Sequence, residues 1–217
     1  MPPRVTCIDP GPAVVLREVV AHPGHPAAAV SFGLALASQR LSQLSRPANF
    51  LWVREAAAAV ETGEPCGSGL AGFAFAPDSL IVARLRTHVD ALRAALEGAR
   101  CQALGAVVLE TIRPVDLTAS RRLKLAAEKS GVLVVLIQLA GIPMANAAQL
   151  RWTTRTVTET GPHDADQQLV FDVTVLKHPA GQVGQRSRVR WDHDQRCFTE
   201  ALPVSMATIS GGGSLAA

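Results

Sequence analysis

A chain of 217 residues with 48% hydrophobic residues and a formal net charge of +3 describes an apolar, globular protein of one domain, long enough to bury a sizeable core. The charge is too small to argue for nucleic-acid binding by itself. No apolar run reaches the length of a membrane span, and the opening "MPPRVTCIDPGP" lacks the basic start and apolar run of a secretory signal, so the cytoplasm is the expected compartment. Cys7, Cys66, Cys101 and Cys197 are far apart and form no CxxC pair, which excludes a zinc knuckle or disulfide framework and reads as buried thiols. His22 and His25 alone, in a Pro/Gly loop, make a poor metal site, and no metal is expected.

In chain order, residues 13–20 ("AVVLREVV") read as a strand and 27–44 as an Ala/Leu-rich helix, broken at Arg46-Pro47. Residues 49–55 ("NFLWVRE") form a second strand. The Gly/Pro-punctuated segment 62–79 is loop with one short helical turn. A third strand at 80–85 ("LIVARL") leads into a helix at 87–99, and 103–110 ("ALGAVVLE") is a fourth strand. Asp116 or Thr118 can cap a helix at 119–130, Gly131 is placed to end it, and 132–138 ("VLVVLIQ") is a fifth strand. Strands this apolar, alternating with helices, imply a mostly parallel sheet covered on both faces. After Gln149 the segments "LRWTTRTVTE", "QLVFDVTVLKH", "RSRVRWDHD" and "RCFTE" alternate polar and apolar, the pattern of antiparallel hairpins with one wet face. Residues 1–12 form a short arm, 13–200 one domain, and 201–217 a tail that is flexible by composition.

A parallel core, a strand–loop–helix start and a C-terminal antiparallel extension together resemble the RecA-like α/β fold. Laid on that family, "EVVAHPGHPAAAV" (18–30) has the length of strand plus Walker A loop. The two glycines fall on Ala21 and Pro26, the lysine on Ala27, and the Ser/Thr on Ala28. Pro26 offers no N–H to a phosphate, no cationic side chain reaches the terminal phosphates, and Ala28 offers no hydroxyl to Mg²⁺. Three other positions match in part. Glu110 stands where the family places its Walker B acid, Glu55 near its water-activating glutamate, and Gln138 at its nucleotide-sensing glutamine. Such polar residues also close buried strands as a matter of course. The expectation is a nucleotide-binding scaffold whose site is gone: a pseudo-ATPase without catalytic residues or cofactor.

The segments "LREVVAH", "LGAVVLE" and above all "DLTASRRLKLAAEKSGVLVVLI" (116–137) are similar to the ImuA family, RecA-related accessory proteins of damage-induced mutagenesis grouped with SulA-like proteins. The resemblance covers most of residues 16–198. It implies an accessory role in translesion synthesis, in the nucleoid during the damage response. The partners it implies are an ImuB-like inactive Y-family polymerase, an error-prone C-family polymerase and, as a further candidate, RecA. Two alternatives stay open: a SulA-like cell-division inhibitor and a DNA-dependent ATPase. The brief stretch ahead of the first strand leaves no room for a filament-forming arm. The loops "TIRPVD" and "LAGIPMANAA" are short, and the second carries no basic or aromatic residue, so filament formation on DNA is not expected.

Candidate contact residues remain. Arg121, Arg122 and Lys124 lie off the apolar stripe of the 119–130 helix and could meet an acidic partner. Arg186, Arg188 and Arg190 share one face of a strand and could track a nucleic-acid backbone, against the plain reading of a solvated face. Trp152 and Trp191, each beside arginines on alternating strands, fit either a docking residue or ordinary half-buried sheet packing.

Overall fold

Strand and helix alternate through the first part of the chain: β1 (Leu16–Ala21), α1 (Pro26–Ser42), β2 (Asn49–Glu55), α2 (Ala56–Thr62), α3 (Gly67–Ala71), β3 (Leu80–Leu85), α4 (His88–Arg100), β4 (Leu104–Thr111), α5 (Leu117–Ser130) and β5 (Leu133–Gln138). Four strands follow, with no helix between them among the described residues: β6 (Leu150–Val157), β7 (Val170–Lys177), β8 (Arg186–Asp192) and β9 (Cys197–Glu200). These elements come from a computed structural model that describes residue 8 and residues 13–141, 143–157 and 169–201. The expected arm at 1–12 and tail at 201–217 lie outside the described residues, except at Ile8 and Ala201. Ile8 is fully buried, and Ala201 is buried with its amide donated to the Arg188 carbonyl at 2.9 Å, so ordered chain runs at least one residue into the segment read as tail.

The nine strands among the described residues form one sheet in the order β3-β2-β4-β5-β1-β6-β7-β8-β9. β1 through β6 are parallel to their neighbours and β6 through β9 antiparallel. β6 is therefore the joint: it runs parallel to β1 on one side and antiparallel to β7 on the other, where its alternating sequence had suggested a hairpin strand only. β1, β4 and β5 are buried at every position, as strands covered on both faces must be. Among the described residues no helix is long and apolar enough to cross a membrane.

The helices stop and start for local reasons. Pro26, with its fixed φ, opens α1. Thr87 caps α4 by accepting the Asp90 amide at 3.1 Å, and Asp116 caps α5 by accepting that of Ala119 at 2.7 Å. Gly131 ends α5 at φ +78°, which only glycine adopts cheaply. α2 is an addition to the sequence reading: four consecutive alanines continue directly from β2, with Glu55 as the extended residue before the first turn.

The core has two halves. On one face α1 packs on the sheet and against the aromatic residues that β6 to β9 turn toward it, with the Phe32 ring 5.7 Å from Trp152, 5.5 Å from Phe171 and 4.9 Å from Phe198. Gly33 lets α1 approach the sheet closely, since a Cβ there would stand 2.6 Å from Ile137 Cδ1. The 67–79 segment closes over this layer: Ser38 Oγ donates to the Phe73 carbonyl at 2.5 Å and Trp191 Nε1 to that of Gly72 at 3.1 Å. On the other face α4 and α5 bury Ala91, Ala95, Leu123 and Ala127 against Val53, Val107, Leu109 and Leu136. The described cysteines depart from expectation, Cys66 and Cys101 being exposed and Cys197 half-buried, while Cys7 lies outside the described residues. Both exposed thiols lie at helix ends, beyond the reach of either core half.

Candidate functional site

The connection from β1 to α1 sits where a phosphate loop would begin. It is a four-residue turn, His22-Pro23-Gly24-His25, in which the His25 amide donates to the His22 carbonyl at 2.9 Å and Gly24 takes φ +78°. Pro then Gly at the two central positions is the type II pattern. Ala21 ends the buried strand, Pro26 starts the helix without an N–H, Ala27 is exposed and Ala28 is buried with its amide on the His25 carbonyl at 3.2 Å. The turn thus uses its own amides internally, in a place where a phosphate cradle must point several of them outward.

The three polar residues proposed around that loop are not brought together. Glu110, fully buried, faces the α1 side of the sheet. Its carboxylate accepts from Arg54 Nε at 2.8 Å, from Arg54 Nη2 at 3.3 Å, from Trp52 Nε1 at 3.0 Å and from the Thr62 hydroxyl. Arg54 is equally enclosed: its Nη2 also donates to Gly63 O at 2.7 Å and to Thr62 Oγ1 at 2.8 Å, and its guanidinium lies 4.7 Å over the Trp52 ring. Glu55 turns to the opposite face, where its Oε2 lies 3.2 Å from His88 Nδ1 at the start of α4 and accepts the Ile112 amide at 3.4 Å. Gln138 is buried at the end of β5 between Thr111 and Val20, and strand alternation places it on the α5 side, away from Glu110.

A third buried carboxylate escaped the sequence reading. Glu18, in the middle of β1, accepts from Asn146 Nδ2 at 2.9 Å and from Arg151 Nε. Arg151 in turn donates to Asn146 Oδ1 at 3.0 Å and to the Met144 carbonyl at 2.6 Å, which pins the loop entering β6. Burial pushes the Glu18 carboxyl above its ordinary range, and the nearby Arg151 opposes but does not cancel that push. A charged residue inside an apolar strand was the available signal, but its partners lie 128 and 133 residues away and only the fold joins them.

The proposed contact residues divide. Arg121 and Arg122 are exposed on α5, and Lys124 is half-exposed and pairs with Glu128 at 3.4 Å. Arg186 is exposed, Arg188 and Arg190 are half-buried, and all three face away from α1, as strand alternation required. Trp152 is corrected: it has no exposure at all and packs on Phe32, so it is a core residue and not a docking one. Trp191 and Trp52, each 3% exposed, are core residues too. The alternation that turns the arginines outward turns these rings inward.

No protein-family model matches the sequence, and no curated protein does. Among solved structures the fold is similar to that of the RadB recombinase, with a TM-score of 0.53 and 10% identity over 88% of this chain and 92% of that one. SulA from Pseudomonas aeruginosa is matched at a TM-score of 0.43 and 14% identity, over 57% of this chain and 97% of that one. The RadB likeness shows the fold: an α/β RecA-like core, mostly parallel, carrying C-terminal antiparallel strands.

Proposed function

We propose that this chain is a non-catalytic accessory protein of damage-induced translesion synthesis, working by binding other proteins through a RecA-like scaffold without a phosphate loop. The resemblance to ImuA suggests the setting. The partners in this reading are an ImuB-like inactive Y-family polymerase, an error-prone C-family polymerase and RecA. The observation that carries a docking role is the open edge of the sheet. Among the described residues β3 ends the sheet on the parallel side, pairs only with β2, and exposes Ile81 by 47% and Val82 by 45%. α2 and α4 pack beside it from the two faces and add exposed Val60 and Val89. An apolar, β-branched edge with unpaired backbone groups is a template for a partner's strand unless something covers it.

The test is ultraviolet-induced mutation frequency in cells lacking the gene, complemented with the wild-type chain or with Val82→Asp. The expected result is a fall to the spontaneous level on deletion, recovery with the wild type, and no recovery with Val82→Asp, whose urea midpoint stays near the wild-type value. An unchanged frequency on deletion overturns the role. Full recovery by Val82→Asp overturns the edge as its docking surface.

A further inference from the structure

Strand alternation gives β6 to β8 two unlike faces. Trp152, Phe171, Val189 and Trp191 point to α1, while Arg155, Asp172, Arg186, Arg188 and Arg190 point the other way. On that outer side α4 packs on β2, β3 and β4, and α5 on β5 and β1, and Arg155 remains 54% and Arg188 34% exposed. Four guanidiniums therefore share an open sheet face with one central carboxylate. Asp172 binds two of them, accepting from Arg188 Nε at 2.7 Å and from Arg155 Nη2 at 2.8 Å. A further acid, Asp192, closes β8 and accepts the Gln195 amide in the following turn. Where this face meets the β1–α1 turn there is a cleft of about 240 Å³, lined by His22, Thr153, Arg155, Asp172, Thr174 and Arg186.

We propose that this outer face binds the phosphodiester backbone of a single nucleic-acid strand, with one phosphate seated in the cleft beside His22. Residues two apart on a strand stand about 6.6–6.8 Å from one another. Arg186, Arg188 and Arg190 thus form a straight cationic row that can meet successive phosphates of an extended strand. Thr153 and Thr174 supply hydroxyl donors at its cleft end. Among the described residues this face carries no Phe or Trp, because the sheet's tryptophans point to the core, so beyond the His22 imidazole bases find no ring to stack on. Recognition is then of backbone charge, independent of sequence. Each phosphate neutralised on a single strand contributes about −0.7 to the slope of log K against log salt, so three or four arginines give about −2 to −3. That is a loss of roughly 15- to 60-fold between about 50 and 200 mM salt.

The experiment is fluorescence anisotropy of the full chain with labelled oligothymidylate, a mixed-sequence single strand and a duplex of equal length, across that salt range. The two single strands should bind alike and more tightly than the duplex, with the stated slope. Arg186→Glu and Arg190→Glu should each weaken binding about fivefold or more, whereas Asp172→Asn, which releases two guanidiniums, should tighten it several-fold. A variant that merely misfolds cannot tighten binding. No binding at low salt, a slope near zero, or indifference to both Arg186→Glu and Asp172→Asn overturns the site. Tighter binding to the duplex overturns the single-strand assignment. None of these outcomes depends on the docking edge at β3.

Discussion

Replacing Arg54 by Met leaves the Glu110 carboxylate in the core with only Trp52 Nε1 and the Thr62 hydroxyl as donors, and replacing Glu110 by Leu leaves the Arg54 guanidinium there with only the solvent-exposed Glu64, 3.4 Å from its Nη1, as counter-charge. The side chains are 1% and 0% exposed, so neither stranded charge can turn to water. Removing one member of a pair this enclosed costs about 3–5 kcal/mol. At about 2–4 °C per kcal/mol for a chain of this size, each single variant should melt about 6–20 °C lower. The double variant Arg54→Met, Glu110→Leu removes both charges together. Its main remaining penalty is the Trp52 N–H left without an acceptor, about 1–3 kcal/mol. The double should therefore be at least about 3 kcal/mol more stable than the sum of its parts, a coupling that urea unfolding of the four proteins measures from midpoints at constant slope. Additive losses, or a Glu110→Leu variant within about 1 kcal/mol of wild type, would refute the reasoning. The same numbers bear on any functional test of Glu110, because an alanine there weakens the fold whether or not the residue has a chemical role.

Trp152→Ala should lower stability by about 3–5 kcal/mol in urea, as for a large aromatic removed from a full core, and a change under 1 kcal/mol would show that the ring is not held by Phe32. The two perturbed carboxyls give opposite pH limbs. Burial holds Glu18 above 4.5 in the folded state, so between 4.5 and that higher value the folded chain keeps a proton the unfolded chain has released. Stability from Glu18 is complete below 4.5 and is lost as pH rises through the folded value, and Glu18→Gln should flatten that fall. The hydrogen bond from Arg188 outweighs the opposing effect of burial, and with lesser help from Arg155 it holds Asp172 below 3.8. Its contribution is present above 3.8 and lost as pH falls through the folded value, a limb that Asp172→Asn should remove. Urea midpoints across about pH 3 to 8 for the wild type and both variants check the two signs together.

Periodicity and punctuation made most of the elements legible. β2 and β3 have the bounds their sequences suggested, and the Gly131 stop was read from glycine alone. α2 was missed because seven residues hold too few turns for a period, although its alanine run was the available sign. The parallel pairing of β6 with β1 was invisible because alternation reports that a strand has unlike faces, not which way its neighbour runs. Trp152 shows a related limit. The sequence puts it beside Arg151, but adjacent strand residues point to opposite faces, and which face is the core depends on where α1 lies. Arg54 and Glu110 could be suspected as lone charges near the ends of apolar strands. Their pairing needed the β2–β4 register, which sets them directly opposite each other.

That register also bears on why an acid persists at the end of β4. A carboxylate with no solvent exposure is stable only against a cation or a full set of donors. In a nucleotide-binding site the bound metal and phosphates would form part of that balance. Here Arg54 supplies the cation from the neighbouring strand, and Trp52 and Thr62 supply the remaining donors. Thr62 is the last residue of α2, and the Gly63 carbonyl that follows it accepts from Arg54, so the carboxylate ties the end of that helix to the sheet. α2 is also one of the two helices flanking the open β3 edge. The expectation that follows is specific: Arg54→Met should loosen α2 and the β3 edge before the rest of the sheet. Amide hydrogen exchange should show lost protection at residues 56–62 and 80–85 while β1 and β5 keep theirs. Uniform loss of protection across the sheet would mean that the Glu110 pair supports the whole core and has no particular bearing on the edge.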